Sequence, residues 1–382
     1  MFSIRRFISQ ERTDMKEVYV LITRYHPDIT ASGNLIKNLI PFFKKHYMTY
    51  ILSEGASRED DQKQNIYRFP TDNKVDFITK VRNRLGKKTL SFNSKMYNFL
   101  EEKIKQLTPS EKIGLIPITI EEIALAVDLK KKFPDRVVLS PYLLEELLVY
   151  YKASSRNKLN KDLEAVADIL FILPKLKGYF ASDEKVIILE HPMVKNEISL
   201  EPKRQNRILY AGGLNQRTRN PQPIIEAFQK MSEIDFQLVF YSYGNCEQML
   251  KRFSEKDARI EAHGAIDATS VMQEMSLASI LITIGNKNTN LVPSKIFDCI
   301  STVNPILHFY YDEKDPYISY LKDYDLSLCL PIQDIDAEKL KNFIHSVSQK
   351  QVSFEIIKEK FHFALPEVIF QQLNEQLEVL LQ

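Results

Sequence analysis

The sequence lacks tryptophan altogether and is poor in cysteine and glycine. Its 382 residues include no Trp, three Cys and ten Gly. The three cysteines, Cys246, Cys299 and Cys329, are odd in number and show no paired metal-ligand spacing. We therefore predict reduced thiols rather than a disulfide framework, and no cysteine-based metal site. Reduced thiols are typical of a cytoplasmic protein.

Long apolar runs are also missing. Nowhere do about 18 apolar residues follow one another, which is the length that a membrane-spanning helix needs. Two arginines stand near the N-terminus, but Phe7 and Ile8 are too short a run for the core of a signal peptide. Neither secretion nor a membrane span is predicted, and we find no internal repeat or low-complexity tract.

The composition that remains is that of an ordinary globular protein. Hydrophobic residues make up 44% of the chain and charged residues 27%. A chain of 382 residues exceeds the size at which one hydrophobic core usually stops growing, so we expect two domains. A polar stretch around residues 197–206 suits the linker between them.

Charge is spread unevenly along the chain. Residues 1–200 hold 33 Lys and Arg against 26 Asp and Glu, whereas the remainder holds 19 against 24. Residues 77–100 contain no acidic residue and six basic ones, interleaved with apolar side chains. This segment fits peripheral contact with an anionic membrane surface, and it fits a solvated helix and loop equally well. No nucleic-acid-binding motif accompanies it, so nucleic acid is not a predicted partner.

Short apolar runs alternate with helical patterns along the whole chain. Alternation of this kind predicts an α/β fold, with parallel sheets covered by helices on both faces. Strands are predicted at 18–23, 50–52, 113–116, 137–139, 169–172, 186–189, 208–211, 237–241, 260–263, 280–284, 305–309 and 326–330. Helices are predicted at 35–45, 120–132, 142–151, 221–231, 334–347 and 367–381, with a further one beginning near residue 294.

Glycines and arginines follow the first strand of the second half. Gly212 and Gly213 predict a tight exit from the 208–211 strand, and Arg217 and Arg219 stand in the loop that follows. Arginine offers a fixed fork of donors to phosphate oxygens and stays charged at any relevant pH. The pattern fits a diphosphate site, and exposed basic loop residues are the alternative.

Residues 279–310 form a predicted strand, helix, strand crossover. Ligands of such units bind where the strand ends and the loop meets the helix, which here is the loop 286–294. The first helical turn and Lys295 fit a phosphate, and Asp298 fits vicinal hydroxyls such as those of a ribose. Ser294, Asp298 and Ser301 are predicted to share a face opposite the apolar stripe. The alternative is a capped surface helix with a solvated aspartate.

Other polar positions give weaker signals. Ser32-Gly33 follows the first strand, where a glycine allows close backbone approach to a ligand, and Ser242 to Gly244 and Gly264 to Ile266 follow later strands. His263 fits packing beneath a nucleotide or capping of a strand. The acid pairs Asp323 with Asp325 and Asp334 with Asp336 suggest a metal, but helix capping explains the second pair better.

Three segments, taken together and in order, resemble the retaining nucleotide-sugar glycosyltransferases of the GT-B fold (group 1 type, with a degenerate acidic motif). They are ILYAGGLNQRTRNPQPIIEAF, AHGAID and NLVPSKIFDCISTVNPIL. The resemblance implies an acceptor-binding Rossmann-like domain at 1–200 and a nucleotide-sugar-binding one at 201–365. The two would face each other across a cleft, with a final helix at 366–382 packing back on the first domain.

The resemblance also implies roles for residues. Arg219, Lys295 and Asn290 would act in catalysis, with Arg219 and Lys295 stabilising the leaving diphosphate. The donor would be bound by Gly33, Gly213, Arg217, Arg219, Ser242, Gly244, Gly264, Ile266, Leu291, Val292, Ser294, Lys295 and Asp298. The donor would be a UDP-sugar and the acceptor a polysaccharide, lipid-linked or protein glycan, with no metal and no further cofactor.

The chain departs from the family pattern at several positions. Asn290 and Asp298 replace the two glutamates of the acidic motif, Gly213 stands where an arginine is common, and Ser140 to Tyr142 replace a histidine of the first domain. These departures keep a second class open, namely a non-catalytic partner that binds an acceptor or a sister enzyme. A nucleotide-sugar epimerase of the same fold is a further alternative.

Overall fold

A computed structural model describes residues 15–25, 31–71, 92–144, 153–180, 184–196, 205–287, 294–347 and 350–382. It divides into two compact units. The first comprises Met1–Pro192 together with Pro366–Gln382, and the second comprises Met193–Leu365.

The first unit is built on a parallel sheet of five strands in the order β3-β2-β1-β4-β5, with a smaller parallel sheet β6-β7-β8. The strands are β1 (Glu17–Ile22), β2 (Met48–Glu54), β3 (Ile66–Phe69), β4 (Ile113–Pro117), β5 (Val137–Leu139), β6 (Tyr142–Leu143), β7 (Leu170–Ile172) and β8 (Val186–Ile188). The helices are α1 (Ala31–His46), α2 (Ser94–Gln106), α3 (Ile120–Lys132) and α4 (Ala153–Val166). Short 3₁₀ turns lie at Gln62–Gln64 and Pro174–Leu176.

Helix α2 shows how local sequence sets an element boundary. The Asn93 side chain accepts hydrogen bonds from the amides of Lys95 and Met96, both at 3.1 Å, which satisfies two donors of the first turn. Met96, Leu100 and Ile104 then repeat at intervals of four and are fully buried. Of the basic segment 77–100, residues 77–91 lie outside the described residues, so the membrane interpretation stays a prediction.

The helix predicted at 142–151 is wrong at its start. Tyr142 and Leu143 form β6 and pair in parallel with Phe171 and Ile172 of β7. The Tyr142 ring is completely buried and its hydroxyl donates to the carbonyl of Glu190, a contact that fixes the segment as extended chain. Residues 145–152 lie outside the described residues.

The second unit carries a parallel six-stranded sheet in the order β11-β10-β9-β12-β13-β14, which is the doubly wound nucleotide-binding order 3-2-1-4-5-6. Its strands are β9 (Gln205–Leu214), β10 (Gln237–Gly244), β11 (Ile260–His263), β12 (Ala278–Ile284), β13 (Ile306–Tyr310) and β14 (Ser327–Pro331). Its helices are α5 (Gln222–Gln229), α6 (Glu247–Ser254), α7 (Ala268–Leu277), α8 (Lys295–Ser301), α9 (Pro316–Leu321), α10 (Ala337–Val347) and α11 (Phe354–Lys360), with a 3₁₀ turn at His362–Ala364.

The prediction of a tight exit at Gly212-Gly213 is wrong. Strand β9 continues through both glycines to Leu214, and Leu214 pairs with Gly244 at the end of β10. Gly244 has φ +117°, and a Cβ built on it would lie 2.1 Å from the carbonyl oxygen of Leu214. Because no side chain fits there, glycine lets the two strands extend beyond the rest of the sheet.

The chain enters and leaves the second unit at adjoining points. The amides of Met193 and Val194 donate to the carbonyl of Ala364, at 3.1 and 3.0 Å. The last helix, α12 (Pro366–Leu381), then belongs to the first unit, where Phe370 stacks on Phe42 and meets Phe43 edge-on.

None of the helices in the described ranges combines the length and the apolar character that crossing a bilayer requires.

Candidate functional site

The second unit has one place where its sheet favours a ligand. Strands β9 and β12 are neighbours at the centre of the sheet, and the chain winds outward from them in opposite directions. In sheets of this strand order, ligands typically bind beside the loops that follow these two strands, at the carboxyl edge of the sheet. The described residues concerned are 215–221 after β9, and 285–287 and Ser294 after β12.

The loop after β9 is a closed turn that directs Arg219 back to the sheet. The side-chain oxygen of Asn215 accepts hydrogen bonds from the amides of Arg217 at 2.9 Å and Thr218 at 3.3 Å. The backbones of Asn215 and Arg219 are bonded to each other in both directions, at 2.8 and 3.1 Å. Arg217 points to the exposed tip of this turn, whereas Arg219 is partly buried.

Arg219 joins the two loops. Its Nη2 donates to Oδ1 of Asn286 at 2.7 Å, and its Nη1 donates to the carbonyl of Gly213 at 3.3 Å. The backbones of the loops also touch, because the amide of Lys287 donates to the carbonyl of Thr218 at 3.3 Å. The Nε of Arg219 is buried without a partner among the described residues.

Three tyrosines, Tyr210, Tyr311 and Tyr317, lie near enough to Arg219 for its charge to act on their hydroxyls. The Tyr210 hydroxyl donates to the carbonyl of Gly213 at 2.8 Å, and the Tyr311 hydroxyl accepts from the amide of Asn220 at 2.8 Å. Burial raises the pKa of Tyr210 to about 12, and the charge of Arg219 opposes that shift. Burial likewise raises the pKa of Tyr317 well above its ordinary value, against the opposing charge of Arg219.

Helix α8 lies beside the same cluster. This helix follows β12, and the loop that carries Arg219 follows the neighbouring strand β9, so both begin at the carboxyl edge of the sheet. Burial raises the pKa of Cys299 to about 12, so its thiol is not a nucleophile at neutral pH. The structure thus brings Arg219 and α8 to one edge of the sheet.

Lys295 and Asp298 stand in the first turn of α8 and interact with each other. The Lys295 Nζ lies 3.5 Å from Oδ2 of Asp298, and the two side chains are 32% and 19% exposed. Asp298 is therefore partly exposed, and the charge of Lys295 is partly neutralised. Ser294 is half-buried at the start of the helix.

The polar face predicted for α8 is only partly correct. Ile296, Phe297 and Ile300 are buried, but Ser301 is buried as well, and its hydroxyl donates to the carbonyl of Phe297 at 2.7 Å. The helix is covered on most of its circumference and presents only its first turn. Asn290, Leu291 and Val292 lie outside the described residues, so their roles stay predictions.

The carboxyl ends of β10 and β11 lie on the side of β9 that faces away from β12. Tyr241 stacks on His263 with ring centres 4.8 Å apart, and Gly264 is exposed beyond them. Ile266 is partly buried, and Ser242 is buried. With strands about 4.8 Å apart, β11 lies roughly 10 Å from β9, a separation that a nucleoside diphosphate can span.

The remaining candidates are placed elsewhere. Gly33 lies in the first turn of α1, in the first unit. Oδ1 of Asp336 accepts from the amide of Lys339 at 3.0 Å and so caps the start of α10, as predicted, and Asp325 forms an ion pair with Lys360. Within the described ranges, no group of three or more His, Cys, Asp or Glu side chains is arranged to hold a metal ion.

Asn286 is the residue that sequence reasoning missed. It lay within the loop predicted as the binding edge, but nothing assigned it a partner. Its partner Arg219 is 67 positions away in the sequence, and only the pairing of β9 with β12 brings the two together.

No protein-family model matches the sequence, and no curated protein matches it. Solved structures do match along nearly the whole chain. The apo form of the lipopolysaccharide outer core galactosyltransferase WaaB is 13% identical with a TM-score of 0.62, covering 96% of this chain and 99% of that one. Alr3699/HepE of Anabaena in complex with UDP-glucose is 9% identical with a TM-score of 0.63, covering 95% and 99%. The UDP-GlcNAc 2-epimerase of Methanocaldococcus jannaschii is 12% identical with a TM-score of 0.57, covering 88% and 93%.

These similarities, together with the two sheets, define the class of fold. The chain is an α/β protein of the GT-B fold, with two Rossmann-like units. The fold class predicted from the sequence is thereby confirmed.

Proposed function

We propose that this protein is a glycosyltransferase that moves a sugar from a UDP-sugar to a hydroxyl-bearing acceptor. The observation that carries the proposal is Arg219. Its guanidinium lies at the ligand-binding edge of a nucleotide-binding sheet, and neutral oxygens rather than a carboxylate hold it among the described residues. A partly buried positive charge that is held by neutral oxygens favours an anionic ligand such as a diphosphate.

The proposed chemistry depends on electrostatics. Breaking the bond between sugar and diphosphate leaves negative charge on the diphosphate, and preorganised donors stabilise that charge in the transition state. Arg219 supplies this stabilisation, Lys295 adds to it, and Asp298 accepts hydrogen bonds from ribose hydroxyls. The reaction proposed is retaining and independent of metal ions. An assay with and without EDTA tests metal independence, and NMR of the first-formed product reports its anomeric configuration.

The similar structures support this reading of the donor. The WaaB structure is that of a galactosyltransferase, and the HepE structure contains UDP-glucose. We extend these properties to this chain as part of the proposal. The acceptor proposed is a polysaccharide, a lipid-linked glycan or a protein glycan, and the protein would act in the cytoplasm.

Peripheral membrane contact through residues 77–100 belongs to the same proposal. Its six basic residues would each contribute about 1 kcal/mol of attraction to an anionic surface. Pelleting with anionic liposomes should then decrease as salt rises. Equal pelleting after all six basic residues are neutralised would exclude this segment as the contact.

Calorimetry with UDP, GDP and their sugars tests donor binding. We expect heat with UDP and one or more UDP-sugars, and a loss of about 10-fold or more in affinity for Asp298→Ala, because a charge-assisted hydrogen bond is worth about 1.5–3 kcal/mol. An absence of heat for the unaltered protein would favour the alternative, a non-catalytic partner that binds an acceptor.

An epimerase is the second enzymatic candidate, since the UDP-GlcNAc 2-epimerase shares the fold. Incubation with a panel of UDP-sugars separates the two. A transferase releases UDP and requires an acceptor from a lysate, whereas an epimerase converts the sugar without acceptor and with no net release of UDP.

A further inference from the structure

The contact between Asn286 and Arg219 leads to a more specific role. We propose that Asn286 is a positioning residue, whose neutral amide oxygen fixes the Arg219 guanidinium at the sheet edge and leaves its positive charge available to a diphosphate. This inference rests on the proposed function and assigns the residue that prepares the site for the donor.

The position of Asn286 is itself well defined. The preceding residue, Gly285, is buried, and its amide donates to the carbonyl of Phe309 at 2.8 Å. A Cβ built on Gly285 would lie 1.8 Å from Oδ2 of the buried Asp315, so a side chain at this point would displace that carboxylate. On the other side, the amide of Lys287 is bonded to the carbonyl of Thr218. The backbone around Asn286 is therefore held from both directions.

The type of partner distinguishes Arg219 from other partly buried arginines of the second unit. Arg207 pairs with Glu274 at 3.2 Å, and Arg259 pairs with Asp257 at 2.8 Å. Arg219 instead has one amide oxygen and one backbone carbonyl. A carboxylate would orient the guanidinium equally well but would cancel its charge, whereas an amide orients it and leaves the charge intact.

Some N–H donors of the Arg219 guanidinium are not used in its contacts with Asn286 and Gly213. It has five N–H groups in a rigid fork, and its bonds to Asn286 and Gly213 use two of them. The Nε has no partner among the described residues although it is buried. The remaining hydrogens on Nη1 and Nη2, rather than the buried Nε–H, can bind phosphate oxygens while Arg219 stays bonded to Asn286, so that binding requires no rearrangement of the arginine.

The variant Asn286→Asp tests the effect of a negative charge beside Arg219 while the shape of the side chain is nearly preserved. This variant has nearly the same shape and keeps an acceptor for Arg219, but it adds a negative charge next to the guanidinium. We expect UDP binding by calorimetry to weaken by more than about 10-fold, while the melting temperature stays equal or rises, because a partly buried ion pair forms. Asn286→Ala, which loses only the orientation, should weaken binding by about 3- to 10-fold.

Asn245→Asp is the matched control. Asn245 is exposed in the loop after β10, and its Oδ1 accepts from the amide of Gln216 at 2.9 Å rather than from Arg219. The variant adds the same charge on the same edge of the sheet, where solvent screens it, so UDP affinity should change by less than about twofold. In an Arg219→Gln background, Asn286→Asp should lower UDP affinity by less than about threefold, since no guanidinium remains to neutralise.

The outcomes separate this inference from the function on which it rests. If the unaltered protein binds no nucleotide, both fail. If it binds UDP and Asn286→Asp binds within twofold of it, the positioning role alone is overturned. A loss of affinity that accompanies a marked fall in melting temperature, or that is equally large without Arg219, would also overturn it, because either result would indicate a structural role.

Discussion

At the scale of single residues, Arg219 is set apart by the oxygens that hold it. Among the described residues, a backbone carbonyl and a side-chain amide oxygen accept its hydrogen bonds, and its charge acts on three nearby tyrosines. Its planar fork is what a diphosphate requires, since two parallel N–H groups can bind two phosphate oxygens at once. A lysine carries the same charge but only a point donor at the end of a flexible stem.

Arg219→Lys therefore gives an informative comparison with Arg219→Ala. The alanine variant should lose about 10- to 100-fold in UDP affinity, because one or more charge-assisted bonds of about 1.5–3 kcal/mol disappear. The lysine variant should lose less affinity than the alanine variant. Its turnover should fall by a factor similar to that of the alanine variant, because lysine lacks the planar guanidinium that binds two phosphate oxygens in the transition state. Calorimetry and initial rates measure the two effects. Equal affinity of Arg219→Ala and the unaltered protein would remove Arg219 from the donor site.

Glu122 is a second unusual residue, in the first unit. It is buried, 2% exposed, in the first turn of α3, where the hydroxyl of Thr23 donates to its Oε2 at 2.9 Å and the hydroxyl of Thr119 donates to the same oxygen. Burial raises the pKa of the Glu122 carboxyl to about 7, against the opposing effect of the two threonines. The cluster lies at the carboxyl ends of β1 and β4, which are the central strands of that sheet.

This pKa predicts a pH dependence of stability. The folded protein binds the Glu122 proton more tightly than the unfolded chain, so the contribution is complete below about pH 4.5 and is lost as pH rises through about 7. The loss is on the order of 3 kcal/mol. Glu122→Gln cannot ionise, so its unfolding free energy relative to the unaltered protein should improve by most of that amount, about 2.5 kcal/mol, between pH 5 and pH 8. Urea unfolding at both pH values measures it, and parallel pH profiles for the two proteins would contradict the assignment.

The residues that the sequence could and could not indicate differ in a physical way. Arg219 follows a predicted strand, and Asp298 lies near the start of a predicted helix that follows another strand. The local pattern of apolar and polar residues is therefore enough to place both near a strand end. Asn286 and Glu122 become notable only through partners far away in the sequence, Arg219 for the first and Thr23 for the second. Such pairs depend on strand order, which no local pattern specifies.

At the scale of elements, apolar runs bounded by polar loops predicted most strands well. The runs at 137–139 and 260–263 match β5 and β11 residue for residue. Strand β3 was not predicted, because its four residues IYRF include an arginine that ion-pairs with buried Asp61. Strand β6 was predicted as helix, because the segment LLEELLVY that follows Tyr142 favours helix when its sequence is considered alone. In the structure, pairing with β7 makes Tyr142 and Leu143, the first two residues of the predicted helix, a strand instead.

The extension of β9 and β10 gives a prediction about Gly244. With φ +117° and a built Cβ 2.1 Å from the carbonyl oxygen of Leu214, Gly244→Ala must separate the two strands. We expect a loss of about 1–3 kcal/mol in the free energy of unfolding of the second unit, measured by urea denaturation. Gly264→Ala is the control, since a Cβ there meets nothing within 4 Å, and its effect should stay within about 0.5 kcal/mol. Equal stability of both variants would mean that the strand extension is not held as described.

At the scale of the whole molecule, the chain returns to the first unit after completing the second. Helix α12 buries Ile369, Phe370, Leu373, Leu377 and Leu381 there. Phe370 packs against Phe42 and Phe43 of α1, with ring centres 5.7 and 5.1 Å apart. The last helix in sequence therefore contributes to the core of the unit that folds from the first residues.

Phe370→Ala should accordingly destabilise the first unit. Loss of a buried phenyl ring in a packed core costs about 3–5 kcal/mol. Val379→Ala in the same helix is the control, because Val379 is 69% exposed and its truncation should cost less than about 0.5 kcal/mol. Urea denaturation measures both. If Phe370→Ala unfolds at the same urea concentration as Val379→Ala, the helix is not part of that core.

The hydrogen bonds from Met193 and Val194 to Ala364 tie the start of the second unit to its end. A segment whose two termini adjoin can be cut out or transplanted without stretching the chain on either side. Residues 193–365 can in this sense be exchanged as a unit. Under the proposed function, a chimera that receives the corresponding segment of another GT-B protein is expected to change its sugar donor, which a screen of nucleotide sugars would measure.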